Sequence, residues 1–291
     1  MKYTNTPIDQ KPRKYIVLDL ESAVLDDVGH RRYQVMERWR PQRGQPSRRN
    51  YKRSEDPLQT PRWPFQSIVT ISAMVMIEHP DGGIGMTSFE TWSAAVFDEL
   101  GMMQGLLDLL CQNPGAEIIS WGGAMHDLCM IRMAVMRLGL TLPTAWRWLA
   151  FGYSRDARHL DLQQVVTGGF KMKPIHQAEV LAALNLPGKI TAAPFAIARL
   201  IYARNWKAVR EACECDVIST ALMFAHWRQM HDGRTEIGVV VDRILRDVIE
   251  RHPAAGYVPA LRHHRQSLFE EQQAQAASRI PALAPWLGEA A

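Results

Sequence analysis

The sequence predicts an α/β fold: a mixed β-sheet flanked by helices, with a C-terminal helical extension. Three observations carry this. Tyr15-Ile16-Val17-Leu18-Asp19-Leu20-Glu21 is a β-rich apolar run that ends in acids. Ile68 to Ile77 and Ile84 to Trp92 are two further β-rich runs around Pro80-Asp81-Gly82-Gly83, the signature of a hairpin. Beyond Asp98 the apolar spacing changes to three and four, and helical stretches alternate with short strands.

In chain order, residues 1–14 are a polar N-terminal tail without the apolar segment of a signal peptide. Tyr15 to Glu21 follows as a buried strand. The stretch 30–62 holds Pro41, Pro46, Pro57 and Pro61 and many polar residues, and reads as a long loop or arm. The hairpin comes next. Asp98 to Gln112 is a helix that places Leu100, Met103, Leu107 and Leu110 on one side and stops at Asn113-Pro114-Gly115. Glu117 to Trp121 is a short strand, Gly122-Gly123 a turn, and Asp127 to Leu140 a helix. Leu142 to Asp156 has no clear period. His159-Leu160-Asp161-Leu162 suits a short strand, Lys173 to Leu186 a small helix, Asn205 to His231 a long helix and Glu236 to Arg251 another. The tail from Ala254 is Ala/Gln-rich and reads as a docking helix or as disordered. These boundaries divide the chain into the tail, a domain over 15–232 that includes the 30–62 insertion, and the helical extension 233–291.

Composition excludes several classes. No apolar run reaches the ~18 residues of a membrane span, so the expectation is a cytoplasmic protein with no membrane partner. Cys111, Cys129, Cys213 and Cys215 are too few for a disulfide framework and lack zinc-site spacing, so they are expected as buried, reduced thiols. The net charge of +4 is unevenly spread. From His30 to Arg62 nine Arg and one Lys oppose three acids, a balance of +7, which leaves about −3 elsewhere. Such a segment suits a polyanionic partner, with Tyr33, Trp39, Tyr51 and Trp63 available to stack on bases. The plainer alternative is a solvated insertion whose aromatics anchor a loop.

Four acids stand out. Asp19 and Glu21 are two apart on a strand, so both leave one face while Leu20 points to the core. Two such carboxylates repel unless a cation lies between them, and hard divalent ions prefer carboxylate oxygens. Asp127 opens a helix just after a strand and a Gly-Gly turn, where the helix macrodipole alone also favours an acid. Asp216 lies mid-helix, where capping does not explain it.

The order of these acids resembles the DEDD superfamily of 3′–5′ exonucleases. The resemblance is to bacterial stand-alone proteins similar to the exonuclease domain of family-B DNA polymerases, and it runs from Tyr15 to Trp227. The matching segments are Val17-Leu18-Asp19-Leu20-Glu21-Ser22, then Ser120 to Leu128, then Cys213-Glu214-Cys215-Asp216-Val217. His159-Leu160-Asp161-Leu162 and Leu184 to Lys189 also look like this group. The resemblance implies a ribonuclease-H-like fold, two Mg²⁺ or Mn²⁺ ions, and a DNA or RNA 3′ end as substrate. Asp19 would bridge both ions, Glu21 and Asp216 would hold the water-activating ion, and Asp127 the other. Leu20, Ser22, Trp121 and His126 would lie against the substrate.

Three positions depart from the pattern. The family-B-like group has a tyrosine four residues before the last acid, on the same helix face; here it is Ala212. The histidine-type enzymes use a histidine five residues before it; here it is Glu211. The second motif usually reads Asn-Gly and then Phe before its Asp; here Gly122-Gly123 and His126 stand there. Losing a general base costs ~10²–10⁴-fold in rate, whereas losing the metals removes the chemistry. The primary expectation is therefore an active exonuclease. The alternative is a catalytically weakened nucleic-acid-binding or scaffold protein, and a third reading is a different hydrolase on the same two-metal fold. The C-terminal residues Ile237, Val240, Ile244 and Val248 suit either a second copy or protein partner, or the domain's own core.

Overall fold

The computed structural model describes residues 12–39, 56–79, 83–152, 158–188, 190–191, 194–233 and 236–283. The tail up to residue 11, the middle of the Arg-rich segment with Tyr51, the hairpin turn at 80–82, Tyr153, Lys189 and the last residues from 284 lie outside them.

Among the described residues one sheet forms from β1 (Lys14–Ala23), β2 (Ser67–Glu78), β3 (Ile84–Ser93), β4 (Glu117–Ser120) and β5 (His159–Asp161). The strand order is β3-β2-β1-β4-β5. β1 is antiparallel to β2 and parallel to β4, β2 pairs antiparallel with β3, and β4 is parallel to β5. The sheet is thus mixed, with helices on both faces, which is the ribonuclease-H-like α/β fold the sequence implied. Because β1, β4 and β5 are parallel, their C-terminal ends share one edge of the sheet. Crevices at such edges are where open α/β sheets bind ligands.

The helices are α1 (Val28–Met36), α2 (Glu99–Gln112), α3 (Asp127–Leu138), α4 (Leu162–Val166), α5 (Gln177–Ala183), α6 (Pro194–Tyr202), α7 (Trp206–Asp232), α8 (Ile237–Arg251) and α9 (Val258–Leu283). The strand period of two sorts β1 between two cores. Ile16, Leu18 and Leu20 pack with Met103 and Leu106 of α2 and Leu128 and Ile131 of α3. Tyr15 and Val17 pack on the other face with Val217 and Leu222 of α7 and Ile244 and Leu245 of α8.

Several expectations shift. Val28–Met36, at the start of the arm, is helical rather than loop. It is pinned by His30 Nε2 against the Pro57 carbonyl (2.7 Å) and by Gln34 Nε2 donating to the Leu58 carbonyl (2.8 Å). Tyr33 packs within an anchoring cluster with His30 and Phe65, its ring tilted and 5.9 Å from that of Phe65. The helix expected over Lys173–Leu186 is shorter, Gln177–Ala183. Pro174 lacks an N–H and disfavours helical backbone at Lys173. The helix begins only where Glu179 Oε1 accepts the His176 N–H at 2.8 Å. The helix from Asp127 ends at Leu138 because Gly139 adopts left-handed backbone, φ 65°.

The stretch after Leu142 forms a 3-10 turn, Thr144–Ala150, built on buried Trp146, whose Nε1 donates to the Leu110 carbonyl at 2.7 Å. The tail is helical in α9. All four cysteines are free, but Cys111 is exposed and Cys129 only half-buried, against the expectation that all are buried. The α8 stripe of Val240, Val241, Ile244, Leu245 and Val248 is buried in the chain's own core. No helix among the described residues is long and apolar enough to cross a membrane.

Candidate active site

The face of β1 that carries Tyr15 and Val17 continues outward to Asp19 and Glu21, and α7 lies on that face. Asp216 of α7 therefore meets the strand acids by the same packing that buries Val217. The Cys213 thiol fastens this contact by donating to the Asp19 carbonyl at 3.4 Å. One donor atom from each of Asp19, Glu21 and Asp216 lies within 4.8 Å of the others. Asp19 Oδ2 is buried and has no hydrogen-bond partner. Burial, and then the charges of Asp216, Asp127 and Glu21, push the Asp19 carboxyl well above the usual carboxylate range. A buried acceptor without a donor, among like charges, suits a hard divalent cation.

Asp127 enters from the other core. β4 ends at Ser120, the chain turns through 121–126, and α3 starts at Asp127, which is buried. His126 Nδ1 lies 3.1 Å from Asp127 Oδ1. Burial raises the Asp127 carboxyl, and the hydrogen bond to His126 opposes this; the same bond raises His126. The three-acid cluster does not include Asp127, but all four acids line one cleft of about 760 Å³.

Of the residues expected against the substrate, Leu20, Trp121 and His126 line this cleft. Ser22 does not: its Oγ donates to Gln66 Oε1 at 2.8 Å. β1 slips one residue against β2 between Glu21 and Ser22, so that Glu21 pairs with Thr70 and Ser22 with Ile68. Ala212 is buried among Ile197 and Ile201 of α6 and Val209. Glu211 faces Gly256, just before α9, and does not line the cleft.

Gln163, Ile175, His176, Gln177 and Ala178 also line the cleft, and the sequence reading did not select them. They sit around the short helices α4 and α5, where no long period marks a face. The Pro174 break and the Glu179 cap were the available local signals.

A family model described as "Predicted 3'-5' exonuclease related to the exonuclease domain of PolB" matches residues 60–253, which is 194 of the 291 residues. The chain belongs to this family. Its place in the DEDD exonuclease superfamily agrees with the order of the acids. The matched stretch contains Asp127 and Asp216, starts after β1 and runs through α8. Asp19 and Glu21 lie outside the matched stretch and are held beside it by the pairing of β1 with β2 and β4. Among solved structures, the family B DNA polymerase of the hyperthermophilic archaeon Pyrobaculum calidifontis is similar at 15% identity and a TM-score of 0.44. The similarity covers 83% of this chain and 29% of the polymerase chain. No curated protein sequence matches the chain.

Proposed function

We propose that this chain is a metal-dependent 3′–5′ exonuclease acting on DNA or RNA. The observation that carries the reading is the meeting of Asp19, Glu21 and Asp216 around the partnerless Asp19 Oδ2, with Asp127 in the same cleft. Asp19, Glu21 and Asp216 would hold one Mg²⁺ or Mn²⁺, and Asp127 with Asp19 a second. Two such ions, when bound, neutralise charge on the attacking and leaving oxygens of an in-line displacement.

The chain's own residues supply placement. Trp121 lines the cleft beside the acids and offers an aromatic surface there. In the reaction a water oxygen bonds to the terminal phosphorus, the P–O3′ bond breaks, and the 3′ oxygen takes up a proton. A nucleoside monophosphate is released. With Ala212 packed against α6 and Glu211 turned to the segment before α9, the cleft-lining groups that could hydrogen-bond that water besides the other acids include Glu21, His126, Gln163 and His176.

The second reading, a binder that retains the fold, rests on Ala212 and Gly122, which stand where the resembled group carries a tyrosine and an asparagine. End-labelled single-stranded DNA and RNA with Mg²⁺ or Mn²⁺ separate the two. The expected result is shortening from the 3′ end by the wild type and none by Asp19→Ala. Tight binding without degradation in either metal would establish the binder.

A further inference from the structure

We infer that Asp161 is the positioning residue that sets Asp127, Trp121 and His126 in the cleft. The inference rests on the exonuclease reading for its kinetic consequence, but its structural content stands on the turn itself. Asp161 ends β5 opposite Ser120, the last residue of β4. Its side chain is buried, 3% exposed, and does not line the cleft. The carboxylate accepts four backbone N–H groups. Oδ1 takes those of Gly122 (2.8 Å), Gln163 (3.0 Å) and Gln164 (3.3 Å), and Oδ2 takes that of Ala124 (2.9 Å).

The two Gln bonds are an ordinary helix cap for α4. The Gly122 and Ala124 bonds are not needed for that cap. They reach back 39 and 37 residues, to the turn that joins β4 to α3. That turn is confined from its other side as well. Gly122 has φ +75°, and a Cβ on Gly123 would lie 2.4 Å from Ser120 Oγ and 3.0 Å from Asp127 Oδ2. The Gly123 carbonyl in turn accepts the Leu128 N–H at 2.9 Å, in the first turn of α3. A carboxylate held by two or more N–H groups is a strong, directional clamp. Asp127 thus takes its place from a carboxylate that never meets the substrate.

The test uses the full chain and two variants. Asp161→Asn turns an amide N–H toward Ala124, and Asp161→Ser keeps a good α4 cap but cannot span both turn amides. The expected result is unchanged far-UV circular dichroism, with amide exchange over 122–128 faster by more than about tenfold. In calorimetric titration with Mn²⁺ alone, the variants and Asp127→Ala lose the same uptake step, and the Asp19, Glu21 and Asp216 step persists. On a labelled oligonucleotide kcat falls about 10–100-fold, the usual cost of losing a group that orients a ligand, with KM little changed.

Exchange and Mn²⁺ uptake identical to wild type in the folded variants would overturn the inference. A wild type without nuclease activity would instead defeat the exonuclease reading, and the exchange measurement then decides the role of Asp161 by itself. Global unfolding of Asp161→Ser, with its α4 cap kept, would assign Asp161 to general stability and also overturn the inference.

Discussion

Glu211 Oε1 accepts the Gly256 backbone N–H at 2.9 Å, which ties the helix that carries Asp216 to the segment leading into α9. One turn further along α7, the buried Glu214 accepts the Tyr257 hydroxyl at 3.0 Å. The residue at the histidine-type helper position is thus a structural strut. A Cβ on Gly256 would stand 2.8 Å from Glu211 Oε2.

Gly256→Ala is accordingly expected to cost no more than about 1 kcal/mol, because the atoms its Cβ would meet are the far end of the Glu211 side chain, which can shift. Tyr257→Phe should cost more, ~1–3 kcal/mol, by leaving buried Glu214 short of a donor. Glu211→Gln keeps the acceptor for Gly256 and should leave exonuclease kcat within about threefold, since Glu211 is not the general base whose loss would cost ~10²–10⁴-fold. Urea unfolding and single-turnover rates check the three; a large rate loss in Glu211→Gln would return that residue to the chemistry.

The acid cluster makes the metal-free chain sensitive to pH. Asp19 titrates well above its ordinary value of 3.8 because it is buried near Asp216, Asp127 and Glu21. The folded state then holds a proton that the unfolded state has already lost. As pH rises from about 3.8 through the raised folded value, this group therefore subtracts stability. Asp127 is shifted in the same direction. Thermal melts in chelator are expected to fall over that window more steeply for the wild type than for Asp19→Asn. Added Mg²⁺ or Mn²⁺ should raise the wild-type melting temperature at neutral pH and leave Asp19→Asn nearly unmoved. Equal pH slopes in the two proteins would contradict the clustering.

Away from the cleft, Arg228 closes the opposite end of β1. It is 2% exposed and reaches the Tyr15 hydroxyl (2.8 Å), Glu78 (2.9 Å) and Asp232 (2.6 Å). Breaking a buried ion pair leaves its partner charge uncompensated, so Arg228→Ala is expected to cost about 3–5 kcal/mol in urea unfolding. The residual rate per folded molecule at low temperature should stay at the wild-type level, because none of these groups lines the cleft.

The parts legible in the sequence are those set by local geometry. A side-chain period of two places Asp19 and Glu21 on one face of β1 with Leu20 on the other. Apolar spacing locates α2, α3, α7 and α8 to within a few residues, and a Gly-Gly turn before Asp127 marks the start of α3. Short elements were less legible, because α4 and α5 hold too few residues to establish a period and are defined by caps. Which side of β1 receives α7 is not local. It follows from burying Tyr15 and Val17 against Val217 and Leu222, and that choice brings Asp216 to the acids. The one-residue slip that turns Ser22 to Gln66 is likewise a decision of strand pairing. So is the reach of Asp161 to Gly122 and Ala124, which exists only because β5 pairs beside β4. The sequence by itself determined the long elements and the shared face of Asp19 and Glu21. Only the tertiary structure decided which acids meet and what holds them, because pairing and packing join residues that no local period relates.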